Sequence, residues 1–229
     1  MSKQERAART RDALIRSAAE LFERRGYEQA RLAEISAGAG VSSGALHFHF
    51  ESKAAVAQAV ENEACRSLRR TARATQAQRT DTLQALVDTS HALARLLRQD
   101  VVTRAGYRLN CDAVGRPELN LRQEWQSCVQ ALLSHAADEG ELAEGVSQRD
   151  ATTVLVAATT GLEVLSRHDG VWLSGASLTG LWRLLLPRIA AARSQRAVDP
   201  GGRGLAVGAP YGASGPQTPK PVPSAHPAT

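Results

Sequence analysis

Apolar residues recur every three or four positions along most of this chain, which is the spacing of one helix face rather than of a β-strand. The pattern predicts an amphipathic helix over residues 5–25, which Gly26 can cap, and a short second helix over 32–39. A longer helix is predicted from Ser52 to about residue 77, because neither glycine nor proline interrupts it. Five more helical patterns follow, at 82–99, 101–114, 118–139, 148–168 and 175–194. No segment alternates as a strand does, so the chain is predicted to be all-α.

The segment that follows the second helix has the pattern of a turn and a third helix. Gly40 allows a tight turn, Val41 can enter a core, and Ser42 or Ser43 can cap the helix that begins there. The residues of its first turn are small or polar, so this end of the helix can enter a DNA major groove.

The third helix is predicted to have an inner and an outer side. Leu46 and Phe50 lie four residues apart and can both anchor inward. The outer side then carries His47, Phe48 and His49, which can contact thymine methyls, base edges or phosphates. Such an aromatic face can also pack on a protein partner. The two preceding helices and their spacing favour a DNA-binding helix-turn-helix.

Composition agrees with a helical, polyanion-binding protein. Hydrophobic residues make up 43% of the 229 residues but aromatic residues only 4%, so the core must be mainly Leu, Ala and Val. The net charge of +5 favours a polyanionic partner. Three widely spaced cysteines form neither a disulfide framework nor a paired metal motif, and no cofactor or metal is predicted. Without a signal peptide or a membrane span, the protein is expected in the cytoplasm.

Three regions are predicted. Residues 1–52 form the helix-turn-helix domain and residues 53–196 a larger helical domain, in which Pro187 should kink the last helix. Residues 197–229 contain seven of the nine prolines and six glycines, so this tail is predicted to be disordered.

The N-terminal residues resemble the TetR family of repressors. The resemblance rests on Gly26-Tyr27, Leu32-Ala33-Glu34-Ile35, Ala39-Gly40-Val41 and the run from Gly44 to Phe50 followed by Ser52-Lys53. Within that family the chain is most similar to the γ-butyrolactone autoregulator receptors and their pseudo-receptor homologues. Phe48-His49-Phe50, Trp125 and the stretch 181–187 carry this second resemblance.

The resemblance implies an all-α, TetR-like homodimer whose N-terminal helices bind a palindromic double-stranded DNA operator. By position, the implied DNA contacts are Arg31, Ser42, Ser43, Gly44, His47, Phe48, His49 and Lys53. The family usually opens its second helix with Thr or Ser, whereas this chain has Ala30-Arg31, which loses a hydroxyl cap and offers an arginine–phosphate contact instead. His47 replaces the more usual tyrosine, and Ser43 stands where many members have lysine.

Trp125 lies on an inward stripe of the larger domain together with Leu121, Cys128 and Leu132. Such a stripe is ordinary core packing, whereas the resemblance implies that it lines a cavity for a small-molecule effector, a γ-butyrolactone or an antibiotic. The expected lining residues are Trp125, Leu86, Val87, Val156 and Thr160. The basic composition favours a pseudo-receptor that controls antibiotic biosynthesis. We expect an effector beside Trp125 to tilt the helix that follows Ser52, and so to release DNA.

Two apolar helices near the end of the larger domain carry more leucine than one core face needs. They predict a four-helix dimer interface formed by Leu155, Leu162, Leu178, Leu181, Trp182 and Leu185. Burial of the same residues within one subunit is the alternative.

Two other functions are alternatives to a regulator. An enzyme is disfavoured, because the sequence has no phosphate loop, nucleophile elbow or zinc-helix motif, and no catalytic residue can be named. His47 and His49 diverge on a helix and make a poor metal pair. The second alternative is an architectural DNA-binding protein without an effector, which would have a filled core with no cavity.

Overall fold

The computed structural model describes residues 2–77, 81–112 and 121–203, and these residues form ten α-helices and one 3-10 turn, Gly170–Leu173. The helices are α1 (Lys3–Gln29), α2 (Leu32–Gly38), α3 (Ser43–His49), α4 (Lys53–Gln76), α5 (Thr82–Gln99), α6 (Val101–Asp112), α7 (Leu121–Asp138), α8 (Gln148–Ser166), α9 (Gly175–Ile189) and α10 (Ala192–Ala197). An isolated bridge between Leu142 and Ala190 is the one β-type pairing in these ranges. The all-α prediction is confirmed.

The first three helices form a small N-terminal bundle. Ser2 and Glu5 cap the start of α1 reciprocally, with hydrogen bonds of 3.1 and 2.9 Å to each other's backbone N–H. Gly26 has φ 76° and breaks α1 three residues before its end, at the position where a cap was predicted. Side chains from all three helices share one core, which includes Leu14, Phe22, Ile35, Leu46 and Phe50.

That N-terminal core does not end at residue 52. Val56 and Val60 from the first half of α4 belong to it, as do Val102 and Leu109 from α6. Later residues of α4, such as Leu68, and Tyr107 of α6 belong to the second, larger core instead. The domains expected to meet between residues 52 and 53 are therefore joined by two helices, α4 and α6, which contribute side chains to both cores.

The two spanning helices cross closely at Gly106. A Cβ atom built on this glycine would lie 2.5 Å from the Ala64 Cβ and 3.2 Å from the Val60 carbonyl oxygen. Because backbone and a packed methyl cannot both yield, only glycine fits here. A movement of α6 will therefore displace α4.

The predicted single helix over 175–194 is two helices. α9 ends at Ile189, two residues after Pro187, and Ala190 is extended with φ −90° and ψ 139°. Proline supplies no N–H to the helix and its ring opposes the carbonyl one turn earlier, yet α9 continues through Pro187, so the break lies after the proline and not at it. The side chain of Gln195 then donates to the freed Ala190 carbonyl at 2.8 Å.

Residues 197–203, assigned from composition to a disordered tail, are ordered against α5. Gln84 is fully buried and exchanges two hydrogen bonds with the backbone of Asp199, and Asp88 accepts from the Arg203 N–H at 2.7 Å. These polar groups provide the ordering energy that the small side chains of the tail lack. The rest of the predicted tail, Pro117 and the expected helix ends at 113–114 and 118–120 lie outside the described residues.

Candidate nucleic-acid interface and internal cavity

The outer face of α3 is open because two apolar residues hold its inner face. Leu46 and Phe50 are buried, whereas Phe48 is 81% exposed. His47 is exposed as well, and the His49 ring meets the Phe48 ring edge-on with 5.2 Å between centroids. The predicted division of this helix into an inner and an outer side is confirmed.

The N-terminus of α3 is compact enough to approach another molecule closely. Ser42 caps the helix by accepting a hydrogen bond from the Ala45 N–H at 3.2 Å. Ser43 and Gly44 are exposed, and Gly40 turns the chain before them with φ 67°. The first turn itself therefore presents only small side chains.

Lys53 has a structural role that the sequence analysis missed. Its ammonium donates to the carbonyl oxygens of Tyr27 and Glu28, both at 3.0 Å, and lies 4.5 Å from the centroid of the Tyr27 ring. It therefore joins the start of α4 to the end of α1, where free carbonyls attract a cation. Two of its three N–H donors are used in this way, which leaves one for a phosphate.

Arg31 occupies the N-cap position of α2 and is exposed. Its side chain makes no capping hydrogen bond, consistent with the absence of a hydroxyl residue there. The exposed guanidinium is therefore available to a ligand at the start of α2.

Behind this bundle, a narrow cavity of about 20 Å³ lies beside Trp125. The Trp125 Nε1–H donates to Thr159 Oγ1 at 2.8 Å, which ties α7 to α8 across the cavity. The lining comes from α5, α6, α7, α8, α9 and the 3-10 turn: Ser90, Leu93, Ala94, Leu97, Tyr107, Trp125, Thr159, Leu162, Glu163, Leu173 and Leu178. This volume holds about one water molecule, so the cavity is too small for a larger ligand in this conformation.

Of the five residues expected to line an effector cavity, Trp125 borders this small cavity and the other four do not. Leu86 and Val87 are buried in the core nearer the start of α5, about one turn before the lining segment that begins at Ser90. Val156 lies one turn before Thr159, and Thr160 is rotated about 100° away from it. None of the four lines this cavity; Leu86 and Val87 belong to the larger core, and Val156 packs against it.

A larger and more polar space adjoins the cavity, and we call it the vestibule. It measures about 390 Å³ and shares Leu97, Glu163 and Leu173 with the cavity wall. Its other lining residues are Glu23, Arg98, Arg104, Arg108, Ser166 and Gly170. The vestibule thus lies between the small cavity beside Trp125 and α1 of the N-terminal bundle.

Two ion pairs cross or border the vestibule. Arg104 forms a bidentate pair with Glu23 of α1, and its guanidinium also donates to the Leu97 and Arg98 carbonyl oxygens at 3.0 Å each. Glu163 is 4% exposed and is held by Arg167 through two hydrogen bonds of 3.1 Å. Sequence reasoning missed these residues, although the i, i+4 spacing of Arg104 and Arg108 places both on one face of α6.

An apolar face remains uncovered on α8 and α9, and we call it the α8–α9 face. Leu184 is 76% exposed, and Val154 and Leu165 are about half exposed. On the same two helices, Gly161 and Gly180 have open space where a side chain would stand. An apolar face of this kind on a soluble protein is typical of a protein interface.

Half of the predicted interface residues do not lie on this face. Leu155, Leu178 and Trp182 are buried inside the subunit, where a partner cannot reach them, and the Trp182 indole N–H donates to Ser90 Oγ at 2.7 Å. Each helix carries two apolar stripes, and the stripe that contains these residues packs inward. The other three, Leu162, Leu181 and Leu185, are half-buried; Leu162 lines the cavity, and Leu162 and Leu185 both pack against the larger core.

The two thiols that the structure describes are neutral at physiological pH. Burial raises the pKa of Cys128 to about 11, and burial also raises the pKa of Cys65. Within the described ranges, no group of three or more His, Cys, Asp or Glu residues is placed to hold a metal ion. No helix there combines the length and hydrophobicity needed to cross a bilayer.

A sequence model of bacterial regulatory proteins, tetR family, matches residues 14–60, which run from α1 through the start of α4. Over 194 residues the chain is 34% identical to the A-factor receptor protein of Streptomyces griseus, covering 83% of this chain and 67% of that protein. The chain belongs to the TetR family.

Solved structures of TetR-family regulators share the whole architecture. A gamma-butyrolactone receptor described as an ArpA like protein superposes with a TM-score of 0.74 at 31% identity, covering 86% of this chain and 96% of that one. CprB of Streptomyces coelicolor, in complex with its biological operator sequence, superposes with a TM-score of 0.70 at 33% identity and covers 84% and 94%. The sequence-based assignment to this family and fold is confirmed.

Family membership makes the exposed start of α3 the candidate DNA-reading surface of a TetR regulator. All eight predicted contacts, from Arg31 to Lys53, fall within the matched residues 14–60. Their individual contacts with DNA stay predictions.

Proposed function

We propose that this TetR-family protein is a ligand-responsive repressor that binds a palindromic operator as a homodimer. One observation carries the proposal: the small first turn of α3 and the exposed Phe48 stand on a helix anchored by buried Leu46 and Phe50. A large apolar side chain such as Phe48 buries no apolar surface while it contacts only water, so its exposure on this helix indicates a binding surface.

The proposed contacts follow from the chemistry of each side chain. Ser42, Ser43 and Gly44 would approach the floor of the major groove, and Phe48 would contact thymine methyl groups. The imidazoles of His47 and His49 can reach base edges or phosphates. Arg31 and the remaining donor of Lys53 would bind phosphates and so fix the register on the duplex.

The proposed dimer forms through the α8–α9 face. Two copies would pair Leu181, Leu184 and Leu185 with their two-fold mates and with Val154 and Leu165, producing a four-helix interface. A two-fold dimer also places two copies of α3 about 34 Å apart, the repeat of one DNA turn.

Release would start at the cavity beside Trp125. A cavity of about 20 Å³ cannot hold an organic molecule, so an effector must bind a more open conformation. The element that would move is α6, since Tyr107 lines the cavity, Gly106 contacts α4, and Arg104 is paired with Glu23 of α1. The tilt of α4 expected from the sequence would then follow from a movement of α6.

The relatives suggest the effector class and the regulated process. One is named a receptor for A-factor, others are gamma-butyrolactone receptors, and one structure concerns control of antibiotic production by bacterial hormones. We propose that this protein controls antibiotic or secondary-metabolite biosynthesis. Its basic composition favours a pseudo-receptor over a true lactone receptor.

A second candidate is a DNA-binding architectural protein with no effector. The small volume of the cavity favours it, because the core beside Trp125 is nearly filled. Genome-wide recovery of bound DNA separates the two candidates. A shared inverted repeat upstream of a few genes supports the repressor, whereas recovery that ignores sequence supports the architectural protein. Titration of candidate lactones and antibiotics against the recovered duplex then tests release, and tight binding without loss of operator affinity would exclude effector control.

A further inference from the structure

The vestibule has more positive charge than its own acids neutralise. Glu23 is paired with Arg104, and Glu163 is paired with Arg167, which approaches from outside the vestibule lining. Arg98 makes no ion pair with the residues that the structure describes. Arg98 is therefore without an acidic partner there, and Arg108 has to share Glu23 with Arg104.

Arg108 is the more informative of the two. Its side chain is about three-quarters buried, its Nη1 lies 3.6 Å from Glu23 Oε1, and its Nε is buried with no hydrogen-bond partner among the described residues. A guanidinium can offer two parallel N–H donors to one carboxylate, and here that fork is only partly used. A buried donor without a partner costs free energy that an anion would recover.

The position of the Arg108 guanidinium relative to the cavity defines the shape of a ligand. Leu97 and Leu173 lie on both the cavity and the vestibule, so a molecule that passes between them has one end beside Trp125 and the other beside Arg108. The inner end meets leucine, alanine and aromatic side chains, and the outer end meets guanidinium groups.

From this arrangement we propose that the effector is an amphipathic acid, with an apolar body that enters the cavity and a carboxylate that binds Arg108 in the vestibule. The inference rests on the proposed function, because it assigns the chemistry of the effector of that same site. A neutral lactone would fill the apolar end and leave the arginine donors unmatched.

The same carboxylate would couple binding to the N-terminal bundle. Glu23 belongs to α1, and an incoming anion competes with it for Arg108. Loss of that attraction loosens α6 from α1, the helix against which α2 and α3 are arranged. An acid is therefore expected to weaken operator binding more than an equally apolar neutral compound.

Matched acids and esters test the proposal. Hexanoic, octanoic, decanoic and dodecanoic acids and their methyl esters are titrated by calorimetry at neutral pH against the full chain and its variants. The best acid of the series should bind wild type about tenfold more tightly than its ester, the size of effect given by one charge-assisted hydrogen-bonded pair.

Two substitutions should move this preference in opposite directions. R108Q should reduce the affinity for the acid to that for the ester, and E23Q should increase the affinity for the acid several-fold by removing its competitor. R149Q is the matched control, because Arg149 is exposed on α8, 14 residues from Glu163 and therefore roughly 20 Å away along the helix. Should R108Q fail to fold, R108K keeps the charge without the fork and should show an intermediate preference.

Equal binding of acid and ester, a preference that persists in R108Q, or no binding by any acid in the series would overturn the proposal. Binding of the unliganded protein to its recovered operator is measured separately. If that binding is absent, the proposed regulatory function fails. If it is present and no acid preference exists, only the present inference fails.

Discussion

Phe48 on α3 and Leu184 on α9 are exposed to a similar extent, but their surroundings differ. Phe48 stands alone among serines and histidines, whereas Leu184 is accompanied on its helix by Leu181 and Leu185, one turn after Gly180, where a side chain would meet open space. A single aromatic among hydrogen-bonding groups suits a surface that carries both methyl groups and polar edges, as a DNA groove does. A continuous apolar face suits another copy of itself. Exposure alone therefore does not identify a partner, but the neighbouring side chains do.

The largest expected effect comes from breaking the α8–α9 face. L184D places a charge in the proposed interface, so the dimer should dissociate at micromolar concentration and operator affinity should fall by about 100-fold or more. Sedimentation and DNA anisotropy measure the two effects. An L184D protein that stays dimeric would show that this face is not the interface.

A smaller effect is expected on α3. F48A removes an exposed ring, so operator affinity should fall by about tenfold, in keeping with 1–3 kcal/mol for a base-reading contact. The dimer and the melting temperature should not change. A melting point several degrees lower would mean instead that Phe48 packs against the protein.

Removal of the Ser42 cap tests how far the cap stabilises α3, the proposed DNA-binding helix. S42A loses the hydrogen bond to the Ala45 N–H and should cost about 1 kcal/mol of unfolding free energy. S43A is the matched control, since Ser43 is exposed and is not the capping residue. Chemical denaturation distinguishes them, and equal losses would show that the cap contributes nothing.

The smallest effect is predicted at an ion pair that belongs to neither surface. Arg69 lowers the pKa of Glu124 through a side-chain hydrogen bond, so the stabilisation is complete above the ordinary glutamate pKa near 4.5 and is lost as pH falls through the lowered value. E124Q should cost under about 1 kcal/mol at pH 7, because both groups are partly exposed. Denaturation at pH 7 and pH 3 should show this cost shrinking in acid, with DNA binding at pH 7 unchanged. A cost that is constant with pH would contradict the assignment.

How far each region could be predicted from sequence depends on how local its contacts are. The cap at Ser42, the turn at Gly40 and the anchors Leu46 and Phe50 lie within about a dozen residues, and all were predictable from spacing. The cavity is assembled from five helices and a 3-10 turn. Helical phase placed Leu86 on an inner face but could not tell how far along α5 the cavity begins.

The α8–α9 face and the ordered residues after α10 show two further limits of prediction from sequence. Trp182 and Leu184 belong to different apolar stripes of one helix, and hydrophobicity alone does not say which stripe meets the subunit's own core. Residues 199–203 are held by Gln84 and Asp88, more than 100 positions away. Composition predicted too little order there because it takes no account of distant polar partners.

The most direct test of the proposed regulator is the stoichiometry of the purified protein on its recovered inverted repeat and on a single half of that repeat. Two copies should bind each full repeat, with the half repeat bound about 100-fold more weakly, and both F48A and L184D should reduce binding to the full repeat. One copy per duplex with equal affinity for the half and full repeats, unaffected by either substitution, would contradict a two-fold regulator that reads DNA through α3.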